Sequence, residues 1–363
     1  MQISLLISFF MLCLSSIVAL DWTIGPFVRA DSANPIITPR PESCFTCPIL
    51  QKQVHWECDH TFNPAAVVKD GKVYLLYRAE DDSGVGIGMH TSRLGLAESL
   101  DGLTFQRNPL PVLFPNHDSQ FYNEWPGGCE DSRIVEKEDG SYVMMYTQWN
   151  RQMAVLAVAT SKDLMSWEKH GYAFEKAQNG TYGRRYCKSG SIVCKVVNDR
   201  LIAAKIQGKY WMYWGEGNIY LATSDDLISW EPLVDANGQL LAILGPRPGK
   251  YDSDFPEAGP PAVITKNGIV FLYNGRNSTE NGDPAIPKGA YSAGQALFDA
   301  QDPTKLLARL DQPFFKPERP YEKSGQYIDG TVFVEGLVHF QGKWLLYYGT
   351  ADSAIGVTVA TDL

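Results

Sequence analysis

Four stretches of this sequence place acidic residues in settings too constrained for ordinary surface charge. Glu130 and Asp131 stand in Gly127-Gly-Cys-Glu-Asp-Ser-Arg-Ile134, behind two glycines and ahead of a hydrophobic run. That order puts the acids where a loop enters a buried strand, with Arg133 placed either to orient and ionise one of them or simply to lock the loop. Glu257 lies in Asp252-Ser-Asp-Phe-Pro-Glu-Ala-Gly-Pro-Pro-Ala262, held among Pro and Gly just before a strand. Rigidly placed charge is what catalysis exploits, and a solvated loop acid is the alternative. Glu335 interrupts an apolar strand in Asp329-Gly-Thr-Val-Phe-Val-Glu-Gly336, which makes it either channel-facing or an edge residue. Asp352 follows Tyr347-Tyr-Gly-Thr-Ala351, and Asn63, Arg78 and Asp81 flank the first strand, placed to bind sugar hydroxyls or to cap turns. Two carboxylates are what glycosidic cleavage requires: one protonates the leaving oxygen and the other activates water or attacks.

Other chemistries find less support. The sequence has no Gly-rich phosphate loop, no His-Glu-x-x-His helix and no nucleophile elbow, and His170 and His339 stand isolated. Neither a metal nor a cofactor is called for. A formal net charge of −9 leaves no basic excess to neutralise phosphates, which argues against a nucleic-acid partner. Trp125, Trp149, Trp211 and Trp214 are available to stack on sugar faces.

The elements that must position these acids are strands. Short runs rich in Val, Ile, Tyr and Trp follow turns such as Lys69-Asp-Gly71, Glu138-Asp-Gly140 and Lys266-Asn-Gly268. A second signature recurs: Ser99-Leu-Asp-Gly-Leu-Thr-Phe105, Ser161-Lys-Asp-Leu-Met-Ser-Trp167 and Ser224-Asp-Asp-Leu-Ile-Ser-Trp230. An aspartate capping a tight turn before an inward aromatic, repeated at blade-sized intervals, predicts an all-β, five-bladed β-propeller. Its innermost strands would gather polar residues around a central channel.

The propeller is expected to occupy 21–363 as one catalytic domain. Residues 1–20, apolar from Ile3 to Leu14 and ending in small residues, read as a signal peptide, so the mature protein is expected to be secreted and free of the membrane. Sequons at Asn179 and Asn277 agree with export. Six cysteines remain after the leader: Cys44, Cys47, Cys58, Cys129, Cys187 and Cys194. Export favours disulfides, with Cys187 and Cys194 close enough to bridge a hairpin, over a zinc cluster of Cys44, Cys47, Cys58 and His60. Cys129 is expected to be a free, buried thiol.

From Asn63-Pro-Ala to Asp352 these motifs resemble glycoside hydrolase family 130, five-bladed propellers acting on β-mannosides. The most specific piece is Gly128-Cys-Glu-Asp-Ser-Arg133, which is similar to the family's Gly-Cys-Glu-Asp-Pro-Arg, with Ser132 in place of proline. The resemblance implies inversion, with Asp131 as general acid acting through a hydroxyl of the bound mannose. It also implies that Asn63, Arg78, Lys205 and Asp352 hold that mannose, and Asp81, Glu130 and Asp329 join them as substrate-binding candidates. The family's phosphorylases carry a His-Arg pair after Lys-Ile-x-Gly-Lys-Tyr. Here Lys205-Ile-Gln-Gly-Lys-Tyr210 runs into Trp211-Met-Tyr-Trp214, so Tyr213 and Trp214 stand where phosphate-binding cations are expected. Together with Glu257 ahead of Gly259-Pro-Pro261, this favours a hydrolase of β-1,2-linked manno-oligosaccharides. Glu257 is the preferred base and Glu335 the reserve, and inverting carboxyls are expected roughly 6.5–9.5 Å apart. A phosphorylase would instead gather Arg184, Arg185 and Lys188 on the channel, and a non-catalytic propeller would bind mannosides without turnover.

Overall fold

The computed structural model describes residues 21–182 and 185–361; the expected signal peptide, 1–20, lies outside them. The recurrent Ser-x-Asp signature builds the turn between the third and fourth strands of three blades. Asp101 Oδ1 accepts from the backbone N–H groups of Leu103 and Thr104 at 2.8 and 2.7 Å, while Ser99 Oγ accepts from Gly102. Asp163 and Asp226 repeat this pattern. The residue after each aspartate turns left-handed: Gly102 at φ 75°, Leu164 at 70° and Leu227 at 69°. For a leucine that conformation costs about 1–2 kcal/mol. Burial offsets the cost, since both leucines are fully enclosed in the core.

These turns space out five antiparallel blades around a channel. The first comprises His60–Lys69, Lys72–Glu80, Ser92–Ser99 and Gln106–Arg107. The second comprises Gly128–Glu136, Tyr142–Trp149, Ala154–Ser161 and Glu168–Tyr172. In the third, Gly190–Val197 pairs with Lys209–Trp214, then Ile219–Ser224 and Glu231–Pro232. The fourth runs from Phe255–Ala258 and Ala262–Thr265 through Gly268–Arg276 and Tyr291–Phe298 to Leu306–Arg309. The fifth joins both ends of the chain: Val332–Phe340, Lys343–Thr350 and Ala354–Thr361 take Val28–Arg29 as their outer strand, with Val28 opposite Val359. The fold is a five-bladed β-propeller.

Aromatic side chains fill the spaces between blades. Tyr213 packs on Phe271 and Phe298, each at 4.8 Å, and Trp214 packs on Phe174 at 4.6 Å. The innermost strands are kinked where they face the channel. The first blade bulges between Phe62 and Pro64 and throws Asn63 to φ 46°; the second bulges between Glu130 and Arg133 and throws Asp131 to φ 48°. In the fifth blade the bulge leaves Glu335 as the extra residue. A bulge re-aims one side chain, and strained backbone of this kind is held only where the surroundings over-determine it.

No disulfide forms among the described residues. Cys44, Cys47, Cys58, Cys129, Cys187 and Cys194 are all free thiols, and Cys129 is buried as expected. Cys187 precedes the third blade and its sulfur takes the N–H of Leu156, whereas Cys194 faces Ala262 O of the next blade, so no hairpin brings them together. The Asn277 sequon is also closed. Its amide is buried and donates to the carbonyl oxygens of Asp283, Ile286 and Pro287, leaving no room for a glycan. Asn179 is exposed.

Candidate active site

The kinked inner strands surround a cavity of about 350 Å³ whose walls include Asn63, Arg78, Glu130, Asp131, Lys188, Glu216, Glu257 and Asp352. One wall is organised by Arg78. Its guanidinium reaches Glu80 at 2.5 Å, Glu130 at 2.8 Å and Asp131 at 3.2 Å. Asn63 Nδ2 donates to the same Asp131 oxygen at 3.0 Å. Burial pushes the Glu130 carboxyl up to about 7, against the pull of Arg78 and with added repulsion from Asp131. Burial opposes ionisation of Asp131 too, but Arg78, Lys188, Arg133 and the Asn63 hydrogen bond outweigh it and hold that carboxyl below the usual range. Asp352 is pushed up to about 7, chiefly by burial.

Lys188 organises the opposite wall. Its ammonium lies 3.2 Å from Glu216 and 3.4 Å from Glu257, and Ser189 Oγ donates to Glu257 at 2.6 Å. Burial raises the Glu257 carboxyl to about 7; Lys188 restrains the rise and Glu216 adds to it. Tyr186 donates to Glu216 at 2.9 Å. At the mouth, Trp149 presents a half-buried indole whose N–H is taken by Gly88 O at 2.8 Å.

Behind the cavity, Arg133 connects the two walls. It donates to the backbone oxygens of Asp131 at 2.9 Å, Ala258 at 2.9 Å and Gly259 at 3.1 Å, and lies 2.6 Å from Glu335. The strand carrying Asp131 and the strand carrying Glu257 are therefore tied to one rigid guanidinium. Glu335 is fully buried against it, and burial pushes its carboxyl well up despite Arg133.

A family model described as beta-1,4-mannooligosaccharide phosphorylase, that of glycoside hydrolase family 130, matches residues 28–362. The chain belongs to glycoside hydrolase family 130. Members of this family act on β-mannosidic linkages as hydrolases or phosphorylases, and so does this enzyme. A 1,2-beta-oligomannan phosphorylase from Thermoanaerobacter sp. (strain X514) is 32% identical over 90% of this chain and 95% of its own. A glycosyl hydrolase from Bacteroides ovatus superposes with a TM-score of 0.92 at 52% identity, covering 94% of this chain and 98% of that one. A third similar structure was reported with the finding that the GH130 family of mannoside phosphorylases contains glycoside hydrolases that target beta-1,2 mannosidic linkages in Candida mannan. It gives a TM-score of 0.93 at 53% identity, over 95% of this chain and 98% of that one.

Of the family 130 site residues expected from sequence, the cavity brings together Asn63, Arg78, Glu130, Asp131, Glu257 and Asp352. The others lie elsewhere. Lys205 is exposed, its ammonium over the Tyr210 ring, and the cavity cation on that side is Lys188. Tyr213 and Trp214 belong to the packing between blades, because each faces a neighbouring sheet rather than the channel. Tyr213 gives its hydroxyl to Pro303 O. Asp329 is exposed on a loop. Asp81 is spent on Arg93 at 2.7 Å and on the N–H groups of Ser83 and Thr91. Of the tryptophans, Trp149 alone lines this cavity. Glu216 was missed: in Gly215-Glu-Gly217, between two apolar strands, it reads as an ordinary turn acid. Only its antiparallel bridge to Glu257, a non-local contact, marks it.

Proposed function

We propose that this family 130 enzyme is an inverting hydrolase of β-1,2-linked manno-oligosaccharides, with Asp131 as acid and Glu257 as base. The observation that carries the reading is that the cavity's two cations are already paired. Lys188 lies between Glu216 and Glu257, and Arg78 among Glu80, Glu130 and Asp131. A phosphate dianion entering this acid-rich space meets repulsion and no free cationic partner among the described residues. Of the cations a phosphorylase would gather, Lys188 lines the cavity but is paired, Arg185 is exposed over Tyr182 and does not line it, and Arg184 lies outside the described residues. The greater identity to hydrolase structures, 52–53% against 32% for the phosphorylase, supports the same conclusion.

A carboxyl near 7 is a base matched to neutral pH. Glu257 takes a proton from water, the water oxygen bonds to the anomeric carbon from the face opposite the leaving group, and the glycosidic bond breaks. Asp131 returns a proton to the leaving oxygen through a mannose hydroxyl, and the product is the α anomer. Asp131 is held below the usual range while Glu130, on the same guanidinium, is raised to about 7, so the proton that Asp131 delivers reaches it from Glu130. A sugar hydroxyl bridging the two carboxyls completes the relay. Glu335 is buried against Arg133 and does not line the cavity, which supports Glu257 as the base.

The test is incubation with β-1,2-mannobiose with and without phosphate, followed by NMR. Free α-mannose without phosphate supports the reading, and mannose 1-phosphate formed only with phosphate overturns it. The apolar leader supports an exported enzyme; a secreted product starting near Asp21 is the expected mass-spectrometric result.

A further inference from the structure

Beside the catalytic cavity, the first blade gathers His60, Glu80 and His90. One ligand-type atom from each lies within 4.8 Å of the others. His60 stands directly across the strand pair from Glu80. His90 is 4% exposed, Glu80 is fully buried and His60 is half-buried, which leaves one side open for entry. Neither histidine is an ordinary packed imidazole. His90 Nδ1 lies 2.7 Å from the backbone oxygen of Asp81, a pure acceptor, so Nδ1 carries the proton and Nε2 a free lone pair. His60 Nδ1 lies 3.0 Å from Ser353 Oγ, which accepts from Gln326 N–H and donates to Ala351 O. That hydroxyl is thus left to accept from His60, whose Nε2 is free as well. Two imidazoles fixed in one tautomer by outer hydrogen bonds, beside a carboxylate, form the usual framework of a transition-metal site.

We propose that His60 Nε2, His90 Nε2 and the Glu80 carboxylate bind one divalent transition metal of the zinc class, with water completing a tetrahedron. Imidazole and carboxylate ligands suit such an ion and leave magnesium and calcium disfavoured. Zinc bonds of about 2.0–2.1 Å require the cluster to contract: Glu80 Oε1 stays with Arg78 and Ser92, and Oε2 exchanges its hydrogen bond from Gln326 for the metal. Glu80 and His90 bracket a loop with glycines at 84, 86 and 88, and its Ile87 and Gly88 wall the catalytic cavity. The metal therefore clamps both ends of a substrate-facing loop and takes no part in bond cleavage.

The experiment is titration of chelator-stripped full-length protein with zinc chloride, and with cobalt chloride read in the visible range. Uptake of one zinc per chain, cobalt d–d bands without a thiolate charge-transfer band, and zinc protection of the 82–89 loop from proteolysis are expected. His60→Ala and His90→Ala should abolish uptake, and Ser353→Ala, which removes the hydroxyl that accepts from His60 Nδ1, should weaken it about tenfold. Uptake unchanged in the histidine variants overturns the proposal. So does a thiolate band lost in Cys44→Ser, whose sulfur lies 3.5 Å from His55, or no stoichiometric uptake at all. The cobalt spectrum of the wild-type protein decides the matter even where a histidine variant fails to fold.

Discussion

The two walls of the cavity each hold a cation among carboxylates, yet they are built differently. On the Arg78 wall a planar guanidinium contacts three acids at 2.5–3.2 Å, and two of the residues there sit on strained, bulged backbone. On the Lys188 wall a single ammonium sits 3.2–3.4 Å from two acids, and the left-handed residue there, Ser189 at φ 60°, lies outside any bulge. A fork fixes geometry, whereas a point charge mostly sets potential. The first wall is suited to holding a sugar and its proton relay in register, the second to tuning how readily water loses a proton.

The largest effects should come from the reacting groups. Asp131→Asn and Glu257→Gln are each expected to lower kcat on β-1,2-mannobiose by about 10²–10⁴-fold. Swapping the cations then separates the walls. Arg78→Lys should cost about 100-fold in kcat through misplacement, while Lys188→Arg should cost less than about tenfold, because the charge survives. Equal losses in the two variants would erase the distinction drawn here.

Titration sharpens it further. Glu257 must be ionised to act as base, so its value near 7 sets the acid limb of kcat/KM. Lys188→Met removes the cation that restrains this carboxyl, so the limb should move up by about one pH unit. Glu216→Gln removes a repelling charge, so the limb should move down. The same raised carboxyl affects stability. Between the unfolded value and about 7 the folded chain binds more protons than the unfolded chain, so this group's contribution falls as pH rises through that window. Glu257→Gln should therefore stabilise the protein at pH 8 by about 2–3 kcal/mol and leave it unchanged at pH 4, as read by urea unfolding.

Much of this was legible where the cause is local. The Ser-x-Asp turns are set by hydrogen bonds spanning a few residues, so their repetition reveals the blades directly. Glu130 and Asp131 stand out because glycines and an apolar run flank them. The Lys188 wall was harder to read, because Lys188 and Glu216 meet across the third blade's pairing of Gly190 with Trp214, and Glu257 joins them only when the fourth blade packs alongside. Tyr213 and Trp214 were drawn toward the sugar by the family's spacing, but in a strand of alternating faces their register delivers them to the spaces between blades. Cys187 and Cys194 were expected to pair from their sequence distance; the strand between them carries their sulfurs apart.

The pairing of Val28 with Val359 has a consequence for how the protein is made. A ribosome delivers Val28 long before Val359, so the earlier strand waits for a partner more than three hundred residues away. Until Ala354–Thr361 emerges, the other blades can stack but the ring stays open at one seam, with a bare sheet edge exposed to other chains. Closure is thus the slow, non-local step. Emergence of the fifth blade's last strand, rather than of the catalytic acids, should mark the moment the cavity becomes competent.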